Sequence, residues 1–134
     1  MACVAHQALI PRDWNDEAMA AMLPSLAASP WGPLSSPRDA FGNAHLYEFT
    51  HGRSHALMAV RPVDLARGRR LDVVGLVSDG DRLPAAVLDF ELVRLARGYQ
   101  ACLLAQTTQR PHLVKQCLRT GWLTTGAVML KVVP

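Results

Sequence analysis

Few side chains in this 134-residue chain have types and spacing that could do chemistry. His45, His51 and His55 lie close together, and the turn His51–Ser54 can bring His51 and His55 near one another. A metal centre needs three or four converging donors. No cysteine or carboxylate with a known ligand spacing accompanies these imidazoles, and histidines at the ends of paired strands account for them equally. No metal ligand is therefore assigned. The cysteines are Cys3, Cys102 and Cys117, an odd count with wide spacing and no C-x-x-C pair. Neither a zinc knuckle nor a redox dithiol is implied. Cys102 sits in the apolar run Ala101–Ala105 and Cys117 on an apolar helix face, which predicts reduced, buried thiols. No Ser-His-Asp signature, G-x-S-x-G elbow or P-loop occurs.

The charge is unevenly placed. Fourteen Lys and Arg face 11 Asp and Glu, a formal net charge of +3. Residues 1–91 hold all 11 acids and 8 basic residues, net −3; residues 92–134 hold 6 basic residues and no acid, net +6. Such a basic third suits nucleic acid, a phosphate-bearing cofactor or an acidic protein surface. Solvated faces of two amphipathic helices and a strand would carry the same charges, and no aromatic residues interleave with them. The excess of Arg over Lys favours planar anion recognition. The short run Ala66–Arg70 reads as a solvated turn. Half the residues are hydrophobic, which excludes intrinsic disorder. No apolar run approaches the roughly 20 residues that a membrane-spanning helix needs. Met1–Ile10 lacks the basic start of a secretory signal, so a cytoplasmic or virion-associated location is expected.

These residues must be positioned by local elements. Asp13 predicts an N-cap for a helix from Trp14 to about Leu23, stopped or restarted by Pro24. Ser29–Pro37 (SPWGPLSSP) reads as an irregular loop. Trp14 and Trp122 read as core or subunit-contact residues, whereas Trp31, inside that loop, reads as an exposed anchor. His45–Thr50 and Ala56–Val60 predict a hairpin. Leu71–Val77 predicts a strand in which Gly75 marks a bulge or a close backbone approach. Pro84 opens a helix to Arg97, with Gly98 past its end. Ala101–Ala105 predicts a strand covered on both faces. Pro111 opens a last helix whose buried face is Leu113, Val114, Cys117 and Leu118, closed by Gly121. Trp122–Val133 predicts one or two strands. The fold class is α/β: one domain over 1–134, with a helix and Pro-rich loop in 1–40 and a mixed central sheet with two helices in 41–134.

This order, the bulged strand followed by a helix ending in RLARGYQ, and the sequel TQRPHLVKQCLRTGWLTTGAVMLKVV resemble the GNAT (general N-acetyltransferase) superfamily. The resemblance implies acetyl-CoA bound where two neighbouring parallel strands splay apart. It also implies a glycine-rich loop of the pattern Arg/Gln-x-x-Gly-x-Gly/Ala, whose backbone N–H groups meet the pyrophosphate at a helix N-terminus. Ser78–Pro84 stands where that loop would be, and the pattern is absent. Two carboxylates occupy the approach, Pro84 removes a donor, and Asp79 or Asp81 could cap the helix from within. Arg82 is left as the residue able to attract phosphate. The family's acid, a tyrosine four residues before the Gly-aromatic pair, falls on Cys117. Its asparagine at the start of that helix falls on Arg110. Glu48 lies on an early strand where family members sometimes carry a general base.

The departures imply a GNAT fold without GNAT chemistry, and no catalytic or cofactor-binding residue is assigned. The leading expectation is a non-catalytic subunit that binds other protein subunits in a large assembly. Small GNAT-like proteins encoded by tailed bacteriophages, some among virion genes, are similar. Its expected contacts are Trp31, Arg110, Lys115 and Arg119. The alternative is a divergent acetyl-CoA-dependent N-acetyltransferase. A third reading is a nucleic-acid-binding module using Arg94, Arg97, Arg110, Lys115 and Arg119. Membrane insertion is not expected.

Overall fold

The computed structural model describes residues 9–108, 110–126 and 128–134. Cys3 and most of the segment searched for a secretory signal lie outside these residues. One mixed sheet is formed by Ile10–Arg12 (β1), His45–His51 (β2), Ser54–Leu65 (β3), Gly68–Gly80 (β4) and Leu103–Gln106 (β5), in that spatial order. Neighbours are antiparallel except β4 and β5, which run parallel. The sequence pattern predicted β2 to β5, with β3 and β4 longer than expected, but not the three-residue β1.

Side-chain alternation divides the core between the two faces of this sheet. On one face Phe49, Ala56, Met58, Val60, Leu71 and Val73 pack under Leu92 and Ala96 of helix Ala85–Gly98. On the other, Leu46 and Ala59 pack under Ala18, Met22, Leu26 and Phe41. These last four belong to Asp16–Ala21 (α1), the adjoining residue 22, Leu23–Ala27 (α2) and Pro37–Phe41 (α3). Ala85–Gly98 is α4 and Pro111–Arg119 is α5.

Helix α1 starts later than expected. Its cap is Asn15, whose Oδ1 accepts from Ala18 N at 2.7 Å, rather than Asp13. Pro24 sits in the first turn of α2, where its missing N–H costs nothing, so it restarts the helix. Helix α3 begins at the end of the sequence read as loop and extends past it. Ser36 Oγ accepts from Asp39 N and Asp39 Oδ2 from Ser36 N, a reciprocal cap with Pro37 in the first turn.

The bulge lies where Gly75 marked it. Ala59 pairs with Gly75 but Val60 with Val73, so Val74 is the extra residue. Gly75 is also a close approach: a Cβ there would lie 2.8 Å from Phe41 Cε1 and 3.0 Å from Met22 Sδ.

Three expectations at the C-terminal side need correction. Strand β5 is the outer edge of the sheet, and none of its residues is buried, so it is not covered on both faces; Cys102 beside it is exposed. No strand forms in 122–126 or 128–134, because β-rich sequence without a ladder partner does not make one. Helix α5, lacking that cover, has no fully buried residue, and Cys117 is only partly buried.

Candidate functional site

The parallel ladder between β4 and β5 ends at Val73 and Gln106, and Val73 is the residue before the bulge. A bulge bends its strand and breaks the pairing. The two strands therefore part beyond this point and leave a cleft of about 600 Å³. Its floor carries Arg61, Arg70 and Asp72, and its walls carry Ser25, Trp31 and Arg110. Arg70 makes a two-point contact with Asp72 (2.5 and 2.9 Å). Arg61 Nη2 donates to Ala40 O at 2.9 Å.

Past the bulge, Leu76 turns both backbone groups away from β3 and toward the cleft, and the chain itself occupies both. Leu76 N donates to Ser25 Oγ of α2 at 3.0 Å, and Arg110 Nη1 donates to Leu76 O at 3.2 Å. Arg110, expected as a partner contact, is thus drawn inward. A guanidinium fits this place because it satisfies a carbonyl and stays charged.

The loop after β4 is committed at its first residue, Asp81. The β3–β4 ladder runs to its last pair, Ser54 with Gly80. Asp81 N donates to Arg53 O at 3.3 Å, and Ser54 Oγ donates to Asp81 O at 2.7 Å. Gly80 has φ +77°, and a Cβ there would lie 2.0 Å from Arg53 O, so only glycine lets the strand close against the β2–β3 turn. Neither Asp79 nor Asp81 caps α4, contrary to expectation; its N-cap is Pro84, with no side-chain cap bond. Asp79 faces His55 instead.

No family model matches the chain, and no curated protein matches it significantly. Solved structures do match in fold. A point mutant of TTHA1254 from Thermus thermophilus superposes with a TM-score of 0.52 at 15% identity, covering 92% of this chain and 96% of that one. A crystal structure described as a probable acetyltransferase gives 0.50 at 12% identity, covering 94% and 97%. The fold is GNAT-like.

Within this GNAT-like frame the resemblance-implied positions can be located. Cys117 faces Gln106, whose Nε2 donates to Sγ at 2.8 Å. Burial pushes the thiol up, the Gln106 contact opposes this in part, and Asp89 adds to it. Glu48 has both oxygens engaged: Oε1 accepts from Arg12 Nη2 and Nε (2.5 and 2.8 Å), and Oε2 lies 2.7 Å from His55 Nε2. The His55 hydrogen bond, then Arg12, holds this carboxyl below the usual range, which makes it a weak base. Arg82 meets His112 of α5, an imidazole that also contacts Gln116.

The three histidines do not converge. His45 and His51 share the α4 face of β2 but stand six positions apart, roughly 20 Å along a strand. His55 lies on the opposite face. His45 packs against Tyr99 and His51 against Phe49. Trp31 is 48% exposed at the cleft rim, and Lys115 and Arg119 are exposed on α5. Trp14 is a core residue, stacked on Phe41 and donating from Nε1 to Ala44 O. Ser25 was not singled out in the sequence. A serine in a short helix carries no local sign that it will meet a strand 51 residues away.

Proposed function

We propose that this chain is a non-catalytic GNAT-like subunit that binds other proteins, as a component of a phage particle or another large assembly. The observation that carries the reading is the self-closure of Leu76 by Ser25 and Arg110 at the strand splay. A ligand entering there would have to displace two of the chain's own hydrogen bonds, and any group left unpaired costs about 1–3 kcal/mol. The loop after β4 supports it, since Asp81 N already has a carbonyl partner. On this reading the residues present do not fit an acetyl-CoA pyrophosphate, and no step runs through that cofactor. Contacts with partner subunits are made by Trp31 and by Lys115 and Arg119 of α5. Trp31 stands beside Leu34, which is 91% exposed, and a rigid aromatic with such a neighbour suits an interface anchor.

The second reading, a divergent acetyltransferase, draws on the cleft, whose volume falls in the range of small-molecule sites and whose lining includes three guanidinium groups. Nucleic-acid binding has less support, because Arg94 pairs with Glu91 and Arg110 is turned into the cleft. The test is thiol release from acetyl-CoA with a panel of amine acceptors. The proposal expects no release above the protein-free rate; turnover abolished by Arg110→Ala or Gln106→Ala would overturn it.

A further inference from the structure

We propose that the cleft beside α2 and β4 binds a small monocarboxylate with an apolar body, its carboxylate held by Arg61 with Arg110 as the second charge. The charged residues lining the cleft are Arg61, Arg70 and Arg110 against Asp39 and Asp72. Both carboxylates are engaged elsewhere. Asp72 stands opposite Arg61 in the β3–β4 register, yet gives both oxygens to Arg70, at 2.5 and 2.9 Å. Asp39 Oδ2 accepts from Ser36 N in the cap of α3. Among the described residues neither Arg61 nor Arg110 has a carboxylate within ion-pair range. Each is anchored to the backbone instead, Arg61 Nη2 to Ala40 O and Arg110 Nη1 to Leu76 O.

Arg61 bears the clearest mark of a missing partner. Its Nε is the one enclosed side-chain nitrogen or oxygen among the described residues that makes no hydrogen bond. An enclosed donor on a charged group is costly when unpaired, and a guanidinium cannot escape that cost by losing its proton. Nη1 also lacks a partner but is not enclosed, so it is the donor a ligand can reach. A carboxylate there offsets the charge through a charge-assisted hydrogen bond and leaves the tie to Ala40 in place. Leu76 O takes only one of Arg110's N–H donors, so the self-closure of the splay also survives. The lining carries an excess of one positive charge, which favours a monoanion over a phosphate-bearing dianion. Leu26, Val74 and Leu113 line the same cleft and suit a hydrocarbon body. The site does not depend on whether the chain is catalytic.

Phenylacetate, phenylacetamide and 2-phenylethylamine share one body and differ in charge, so calorimetry and ligand-observed NMR with the three test the site. Phenylacetate should bind the wild-type chain with a Kd of about 1 mM or tighter, the range of a small fragment in a formed site. The amide and the amine should bind at least about tenfold more weakly, the worth of one hydrogen bond to a charged group. Arg61→Gln should weaken phenylacetate by at least about tenfold and leave the amide unchanged. Circular dichroism checks that variant's fold, because Arg61 also ties down α3. Should it not fold, Arg110→Gln makes the same comparison with the same expected loss. No binding of phenylacetate at about 10 mM, equal or stronger binding of the amide or the amine, or undiminished phenylacetate binding in a folded variant would overturn the proposal.

Discussion

At the residue scale, the polar side chains that invite a chemical reading are occupied by one another. Glu48 sits where a general base would be useful, yet Arg12 and His55 engage both its oxygens. Its folded-state pKa lies below its ordinary value of 4.5. The stabilisation it contributes is therefore full above that value and is lost as pH falls through the depressed one. Glu48→Gln should destabilise the fold by up to about 1 kcal/mol at neutral pH, the scale of a partly exposed pair. At about pH 3, below the ordinary carboxylate range, that difference should be smaller. Denaturation midpoints at both pH values measure it, and a difference constant with pH would show that the charge is irrelevant. Pairing of this kind was not legible in the sequence. Glu48 and His55 stand on different strands, and only the register that sets Thr50 opposite His55 places both on one face.

At the element scale, what the sequence disclosed depended on whether the signal was local. Gly75 inside LDVVGLV predicted a bulge or a close approach, and the structure has both: Val74 is the extra residue, and Phe41 and Met22 lie over the glycine. Gly75→Ala should cost about 1–3 kcal/mol by overpacking two fully buried side chains. Gly98→Ala, where an added Cβ meets nothing within 4 Å, serves as its control and should change stability by less than about 1 kcal/mol. Chemical denaturation of the two variants separates them; equal losses would contradict the packing argument. Helix α3 was equally local, since Ser36-Pro37-Arg38-Asp39 is a capping pattern, but the surrounding prolines and glycine masked it. Strand β1 and the segment after α5 were not local at all. A strand exists only when a partner edge is present. The short β1 found one in β2, while the longer β-prone segment after α5 did not.

At the scale of the whole molecule, the helix and strand order was enough to reach the GNAT-like α/β fold that the solved structures share. The cleft's chemistry was less accessible, because it is assembled from α2, β4 and the start of α5, elements far apart in the chain. The charge asymmetry was visible as a count, but its meaning changed with the fold. Arg110 donates to a strand carbonyl and Arg94 pairs with Glu91, leaving Arg97, Lys115, Arg119 and Lys131 exposed. The central claim is that the splay is closed by the chain's own groups. Calorimetric titration with acetyl-CoA, using desulfo-CoA as the control, tests it most directly. The account predicts no heat, and no shift in melting temperature at about millimolar ligand, a concentration that would reveal affinities as weak as about −4 kcal/mol. Micromolar binding, about −8 kcal/mol, would contradict it and return the cleft to cofactor chemistry.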